Sequence, residues 1–369
     1  MEHIFTNKIK EILQNNFGED AEDIFDKNYL LQYINLKTSS ANKGSKSRSS
    51  FGTLFAIYVI LKDYITQTVE NKIDYSKYEG GSFSILLKQA RDLPFGEKIQ
   101  NHAFNNRVNK EFSNRFRTDI QIIHNTDKRY WINENLLKVK NGKKTFNISK
   151  SLIEIIDEYI KTKQDAFQRF MKQCEELQDI ENTTTEKIKE FILGLFAPNV
   201  DARLFEIVSY SILKFYYYDQ TIIWGYKMDK LNTENLKLYK TGRTNANDGG
   251  IDFVMKPLGR FFQVTETLDF KKYFLDIDKI QKYPITFVIK SDEEVETLKK
   301  KIQDNANKTY SINAIVEKYM ACIEEVINIP ILNERFNEAV KQGYLNNILN
   351  EILVQSKVEF NYSNDVDKE

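Results

Sequence analysis

The stretch TGRTNANDGGIDFVMKPLGRFFQVTET, residues 241–267, has the residue types and spacing that could do chemistry. Residues 251–256 read as one strand, Pro257-Leu258-Gly259 as a tight turn and residues 260–266 as the antiparallel partner. Pro and Gly punctuate the turn, while β-branched and aromatic residues fill both arms. Pairing Lys256 with Phe261 would set Asp252 opposite Thr265 and diagonal to Gln263, all three on one face by the two-residue period. Gly249-Gly250 allows a close backbone approach just before Asp252. Upstream, the helix DARLFEIVSYSILKF carries Glu206 near its beginning. A carboxylate, a second oxygen donor on the next strand and a carboxylate on a packed helix suit Mg²⁺. That ion takes oxygen ligands at about 2.0–2.1 Å, keeps several waters and activates one of them toward a phosphodiester.

The order Glu206, Asp252, then Gln263-Val264-Thr265 about ten residues later resembles the PD-(D/E)XK nuclease superfamily. Within it, DGGID followed by a Q-x-K-like strand is most similar to the Mrr-type restriction nucleases. The resemblance covers about 90 residues, from 200 to 289. It implies a restriction-endonuclease-like domain with a central mixed β-sheet flanked by helices. In it Asp252 would ligate Mg²⁺, Gln263 would stand in the second acidic position and Glu206 would bind the metal or orient its water. The family motif ends in Lys, where this chain has Thr265. Three readings follow: a lysine migrates from elsewhere, Thr265 positions water by its hydroxyl, or the chain is weakened or inactive. Lys256 shares the Asp252 face but lies about 13 Å along the strand. Lys271 and Lys272 could fold back, and Glu266 points to the opposite face unless a bulge intervenes.

The elements that must hold these residues are of mixed α/β (α+β) class. β-type runs at 222–226 and 236–239 precede the chemical stretch, and helices follow from 291. N-terminal to it, residues 53–65 read as a buried helix by length. Two helices within 83–116 break at Asp92-Leu93-Pro94, the second with Ile99, Phe104, Val108 and Phe112 on one face. Runs at 130–132 and 145–148 flank KVKNGKK, so a hairpin with an Asn-Gly turn would complete an arrangement compatible with a winged helix. A long amphipathic helix runs from about 149 to 178, with Ser149 as N-cap. The resulting division is 1–185 for a mostly helical DNA-recognition domain and 186–300 for the nuclease domain. Residues 301–369 form a helical extension with a disordered acidic tail.

The 369 residues carry 53 Lys+Arg and 53 Asp+Glu, so bulk charge excludes a protein that coats DNA indiscriminately. The charge is segregated along the chain. Residues 36–52 hold Lys37, Lys43, Lys46 and Arg48 with no acid, and residues 137–150 hold five lysines with no acid. Residues 1–30 and 151–190 hold the excess acid. The basic Ser- and Gly-rich loop at 36–52 would contact DNA phosphates. Asn101, Asn105, Asn106, Arg107 and Lys110 on the second helix would contact bases, since Asn pairs with adenine and Arg with guanine in a major groove. Tyr216, Tyr217 and Tyr218 are expected to pack a helix end.

Cys174 and Cys322 are isolated, and three histidines (His3, His102, His124) make no zinc-ligand spacing. A cytoplasmic, reduced compartment fits. The N-terminus does not read as a signal peptide, and no apolar run of about 18 residues predicts a membrane span. The expectation is a type II-like restriction endonuclease, Mg²⁺-dependent and acting on double-stranded DNA as a homodimer. Its alternatives are an Mrr-like nuclease acting on modified DNA and a DNA-binding regulator that keeps the fold without activity.

Overall fold

A computed structural model describes the chain except residues 1, 40, 42–46, 98, 105, 179–183, 199, 243–250, 267–269, 281, 311 and 361–369. For residues 47–49, 102, 103, 106, 270–272 and 279 it describes the backbone alone. It is a mixed α/β structure of two units, Met1–Arg169 and Phe170–Glu369. The division falls inside a helix and not at the polar run near 185 that composition suggested.

The first unit is mainly helical: α1 (Ile4–Phe17), α2 (Ala21–Lys27), α3 (Tyr29–Thr38) and α4 (Ser47–Tyr64). Asn28 caps α3 by accepting the Leu31 amide at 2.8 Å. Leu54 to Leu61 of α4 are all buried, as an all-round apolar helix requires. After β1 (Gly81–Ser82), α5 (Phe83–Asp92) stops just before Leu93-Pro94, and α6 (Asn106–Phe116) follows a 3₁₀ turn, Asn101–Phe104. Ile99, Phe104, Val108 and Phe112 are buried as their spacing predicts.

The expected hairpin between residues 130–132 and 145–148 does not form. β3 (Arg129–Ile132) instead turns back on β2 (Ile123–Thr126) through Asp127 and Lys128, both at positive φ, and lies between β1 and β2. β4 (Lys138–Asn141) and β5 (Lys144–Asn147) make their own hairpin, with Gly142 of the Asn-Gly turn at φ +59°. There are therefore two hairpins where the sequence suggested one wing. α7 (Ser149–Leu177) begins where Asn147 Oδ1 accepts the Ser149 amide at 2.9 Å, so Asn147 supplies the capping bond assigned to Ser149.

The second unit opens with the end of α7, then α8 (Thr185–Gly194) and α9 (Ala202–Tyr216), whose cap is Asp201 accepting the Arg203 amide. β6 (Thr221–Lys227) and β7 (Lys230–Asn235) form a separate two-stranded ribbon. β8 (Lys237–Lys240), β9 (Phe253–Lys256) and β10 (Arg260–Thr265) follow, then α10 (Phe270–Lys279) and β11 (Ile285–Ile289). Next come α11 (Val295–Thr309), α12 (Asn313–Ala321), β12 (Ile323–Ile327), α13 (Ile329–Lys341) and α14 (Leu345–Phe360).

The five-stranded sheet has the order β12-β11-β10-β9-β8. β9 runs antiparallel to both neighbours, while β10, β11 and β12 are mutually parallel. On one face, Phe253, Met255, Phe262 and Val288 pack with Phe205 and Val208 of α9, Phe336 of α13 and Ile348 of α14. On the other, Ile285, Phe287 and Ile289 pack with Phe274 of α10, Leu298 of α11 and Tyr319 of α12. Burial on both sides explains why β11 reads ITFVI without a polar residue outside Thr286. The region from 301 is thus no appendage, because it supplies an edge strand and part of the core. Among the described residues no helix is long and apolar enough to cross a membrane.

Candidate active site

Four strand ends meet along one edge of the five-stranded sheet. β8 leaves at Lys240, β9 enters after Asp252, β10 leaves at Thr265, and β11 leaves at Ile289. The carboxyl ends of parallel strands, where backbone direction changes from strand to strand, are where sheets of this kind bind ligands. Backbone bonds tie the row together: the Thr241 amide donates to Asp252 O at 3.0 Å and the Lys290 amide to Thr265 O at 2.9 Å.

The hairpin register differs from the expected one by two residues. Met255 pairs with Arg260, Val254 with Phe261 and Phe253 with Phe262, so one further step sets Asp252 opposite Gln263 rather than Thr265. The turn keeps its length but moves one residue toward the N-terminus, where Gly259, at φ +68°, folds its amide back to Met255 O at 2.8 Å. A shift of two preserves the alternation, and Gln263 and Thr265 still share a face, the one bearing Phe261 and the α10–α11 core.

Asp252 departs from the ladder. Its amide donates to Phe262 O at 3.0 Å, and its Oδ2 accepts the Val264 amide at 2.6 Å. The aspartate therefore holds the strand segment Gln263-Val264-Thr265 directly. Gln263 and Thr265 are both buried. The Gln263 side-chain amide donates to Val264 O at 3.3 Å, and among the described residues its buried Oε1 has no hydrogen-bond partner. Turning the amide over would oppose two carbonyl oxygens. A buried polar oxygen without a donor is rare in native proteins and calls for an explanation.

Glu206 does not join this group. It sits on α9, across the sheet from Gln263 and Thr265, with its Oε1 3.0 Å from Lys240 Nζ; the two side chains are 8% and 10% exposed. A second such pair stands at the same end of the sheet. Lys290, just after β11, holds Glu266 at 2.7 Å, with side chains 7% and 13% exposed. Lys290 Nζ also lies 3.4 Å from Val200 O and 5.3 Å from the centre of the Phe205 ring. Glu266 thus does point away from the Gln263 face, as alternation predicts, and meets a lysine there. Excluding water around two charges is expensive, and such pairs often contribute little net stability compared with apolar replacements. Two of them at one sheet edge are a concentration of chemical groups beyond what packing needs.

The sequence reading missed Lys240, Lys290 and Glu266 as site residues. The signal was present: each lysine ends a β run at the position where alternation turns the side chain inward, Lys240 after Leu238 and Lys290 after Val288. Lys256 is at the far end of β9 with its Nζ 5.3 Å from the centre of the Tyr239 ring, so it is not a candidate. The side chains of Lys271 and Lys272, and the Gly249-Gly250 approach, lie outside the described residues. Tyr217 packs the end of α9 as expected, its hydroxyl accepting from Arg335 at 3.0 Å.

A Mg²⁺ ion needs only one or two protein oxygens when it keeps its waters. The Asp252 carboxylate and the unpartnered Gln263 oxygen fit that requirement in chemistry. The three-residue set with Glu206 does not fit, because Glu206 is ion-paired on the other face. Among the described residues, no group of three or more His, Cys, Asp or Glu is placed to hold a metal.

The residues expected to contact DNA divide in the same way. Lys37 is buried in α3, ion-paired with Glu111, its Nζ 5.4 Å from the centre of the Tyr33 ring, so it is a structural residue and not a phosphate contact. Lys43 and Lys46 lie outside the described residues. Arg48 belongs to the first turn of α4 and not to a loop, with its side chain outside the description. Asn101, Arg107 and Lys110 are exposed; Asn105 and the Asn106 side chain lie outside the described residues. Asn109, on the same helix, is buried and accepts the amides of Ile122 and Ile123 at 3.0 Å each while donating to Ile123 O at 2.7 Å. No family model, curated protein or solved structure matches the chain.

Proposed function

We propose that the second unit carries a Mg²⁺-dependent phosphodiesterase site of the PD-(D/E)XK type and that the chain is a type II-like restriction endonuclease of double-stranded DNA. The observation that carries this reading is the Asp252–Gln263 constellation. An aspartate is locked onto the neighbouring strand by its own carboxylate, beside a buried carbonyl oxygen that has no donor among the described residues, at the carboxyl edge of a mixed sheet flanked by helices. Asp252 and Gln263 would hold the ion, which when bound polarises the scissile phosphate and lowers the pKa of water. Lys290 and Lys240 at the same edge are the available cations for the charge that develops on the phosphate, in place of the lysine that Thr265 does not provide. Arg107, Lys110 and Asn101 would contact the duplex.

A regulator that binds DNA without cutting is the second reading, and one observation favours it: both edge lysines are already engaged by carboxylates. The experiment compares the protein with Asp252→Ala on unmethylated and on modified plasmid DNA with Mg²⁺. Discrete fragments of unmethylated DNA from the parent alone support the restriction enzyme. Cutting confined to modified DNA supports the Mrr-like alternative, and binding without fragments sinks the nuclease. Gln263→Glu, which puts an acid in the second position, should lower the Mg²⁺ concentration needed for half-maximal cutting.

A further inference from the structure

The β6–β7 ribbon projects polar backbone and apolar side chains into solvent. Every residue of β7 is exposed, and in the ribbon Ile223 is 66%, Tyr226 94%, Met228 89% and Leu231 50% exposed. A lone two-stranded ribbon is marginal in water, and exposed apolar groups at this density mark a contact surface.

The hydrogen-bond phase of the ribbon can be read off. The Leu236 amide donates to Gln220 O at 2.8 Å, and the register pairs Ile222 with Glu234 and Trp224 with Asn232. Hydrogen-bonded and open positions alternate along an antiparallel pair. Glu234 and Asn232 therefore direct their amides and carbonyls to β6, while Leu231 and Thr233 direct theirs outward.

We infer that β7 pairs edge to edge, antiparallel, with β7 of a second copy of this chain, about a twofold axis passing beside Asn232. Backbone phase requires that outward residues face outward residues, which places the axis beside a single residue and not between two. Charge then selects among the possible axes. An axis beside Asn232 sets Leu231 against the partner's Thr233 in hydrogen-bonded pairs. It also sets Lys230 opposite the partner's Glu234 in the open pairs, where side chains approach most closely. Symmetry makes both contacts twice, as an isologous interface does. Axes beside Leu231 or Thr233 leave Lys230 and Glu234 facing no opposite charge. Leu231 also lies on the face of Ile223, whose register partner is Thr233, so pairing extends one apolar strip across the axis. The ribbon carries Lys227 and Lys230 against Asp229 and Glu234. That balance suits a copy of itself and not duplex DNA, which demands an excess of cations.

Sedimentation velocity on the full chain without DNA or Mg²⁺ tests this. The expected mass is twice 43.5 kDa. Lys230→Glu and Glu234→Lys should each weaken the dimer about tenfold or more, and the combined swap should restore it. Thr233→Pro, which removes an outward donor and none of the bonds to β6, should leave a monomer. Circular dichroism checks that each exposed variant keeps its fold. A monomeric parent, or a dimer that survives Thr233→Pro, overturns the proposal. So does loss of duplex affinity, by fluorescence anisotropy, in variants whose dimer mass is unchanged, because the ribbon would then be a DNA-contacting element. The readout is mass, so the result does not depend on whether the chain cuts DNA.

Discussion

Asn109 in the first unit and Gln263 in the second are both buried side-chain amides, yet they are bonded very differently. Asn109 uses its oxygen twice and its nitrogen once to clamp the start of β2, and it has become part of the backbone's own bonding. Among the described residues Gln263 makes one long bond and keeps an oxygen with no donor. Lys37 and the edge lysines contrast in a similar way. Lys37 ties α3 to α6 through Glu111, whereas Lys240 and Lys290, each with an acid, stand at the same end of the five-stranded sheet. A polar residue that satisfies the fold is consumed by it. One that the fold buries and leaves incomplete calls for an explanation, and at a strand end a ligand is the one to test.

The sharpest way to break that contrast is Asp252→Ala. If the edge is a reaction centre, the cutting rate falls by about 10³ or more, while the melting temperature drops only modestly through loss of the acceptor for the Val264 amide. An equal loss of fold would make Asp252 another Asn109. Next in size is Lys290→Met, which abandons Glu266 in a nearly dry setting and should destabilise by about 3–5 kcal/mol in urea titration. Adding Glu266→Gln should recover much of that loss, and cutting should not return with it. A smaller effect, about 2–3 kcal/mol, is expected for Asn109→Ala, from two amides and a carbonyl left buried. Duplex affinity corrected for the folded fraction should not move. The smallest effect belongs to Lys37→Ala: about 1 kcal/mol in stability, limited because Glu111 can reach water, and no change in DNA affinity. Arg107→Ala, on the exposed side of α6, should lower affinity with a reduced salt dependence. A Lys37→Ala variant that loses affinity and keeps stability would reverse the assignment.

Much of the second unit was legible in residue order. The strand-turn-strand at 251–266 and the helix that carries Glu206 follow from period, turn chemistry and length. Two features were not. The register slipped by two because the turn moved one residue toward the N-terminus, held there by a Gly259 conformation that composition permits but does not dictate. β7 escaped notice because KLNTEN has no apolar alternation, being exposed on both faces. In the first unit, Asp127 and Lys128 make a hairpin turn without glycine, so the strong Asn-Gly signal at 141–142 drew both flanking runs into one hairpin. Sequence charge also misled, since blocks of like charge along the chain meet opposites in space: Lys144 lies 3.1 Å from Asp20 and Lys138 2.7 Å from Glu134. The site itself was half legible. The partnership of Asp252 with the Gln263 strand survives in the structure, while Glu206 lies on the opposite face because α9 packs there.

The placement of β12 next to β11 bears on how the chain is made. Ile323–Ile327 leaves the ribosome after the other four strands of its sheet, yet it covers the edge of a strand synthesised some forty residues earlier. Until it arrives, the apolar run Ile285–Ile289 presents open amides and carbonyls along one side, the template on which nascent chains cross-pair. A chain cut short near residue 300 would keep Asp252, Gln263, Glu206, Lys240 and Lys290 and still be a hazard to its neighbours. Quality control in the cell, and not the chemistry of the site, would set the abundance of such a fragment.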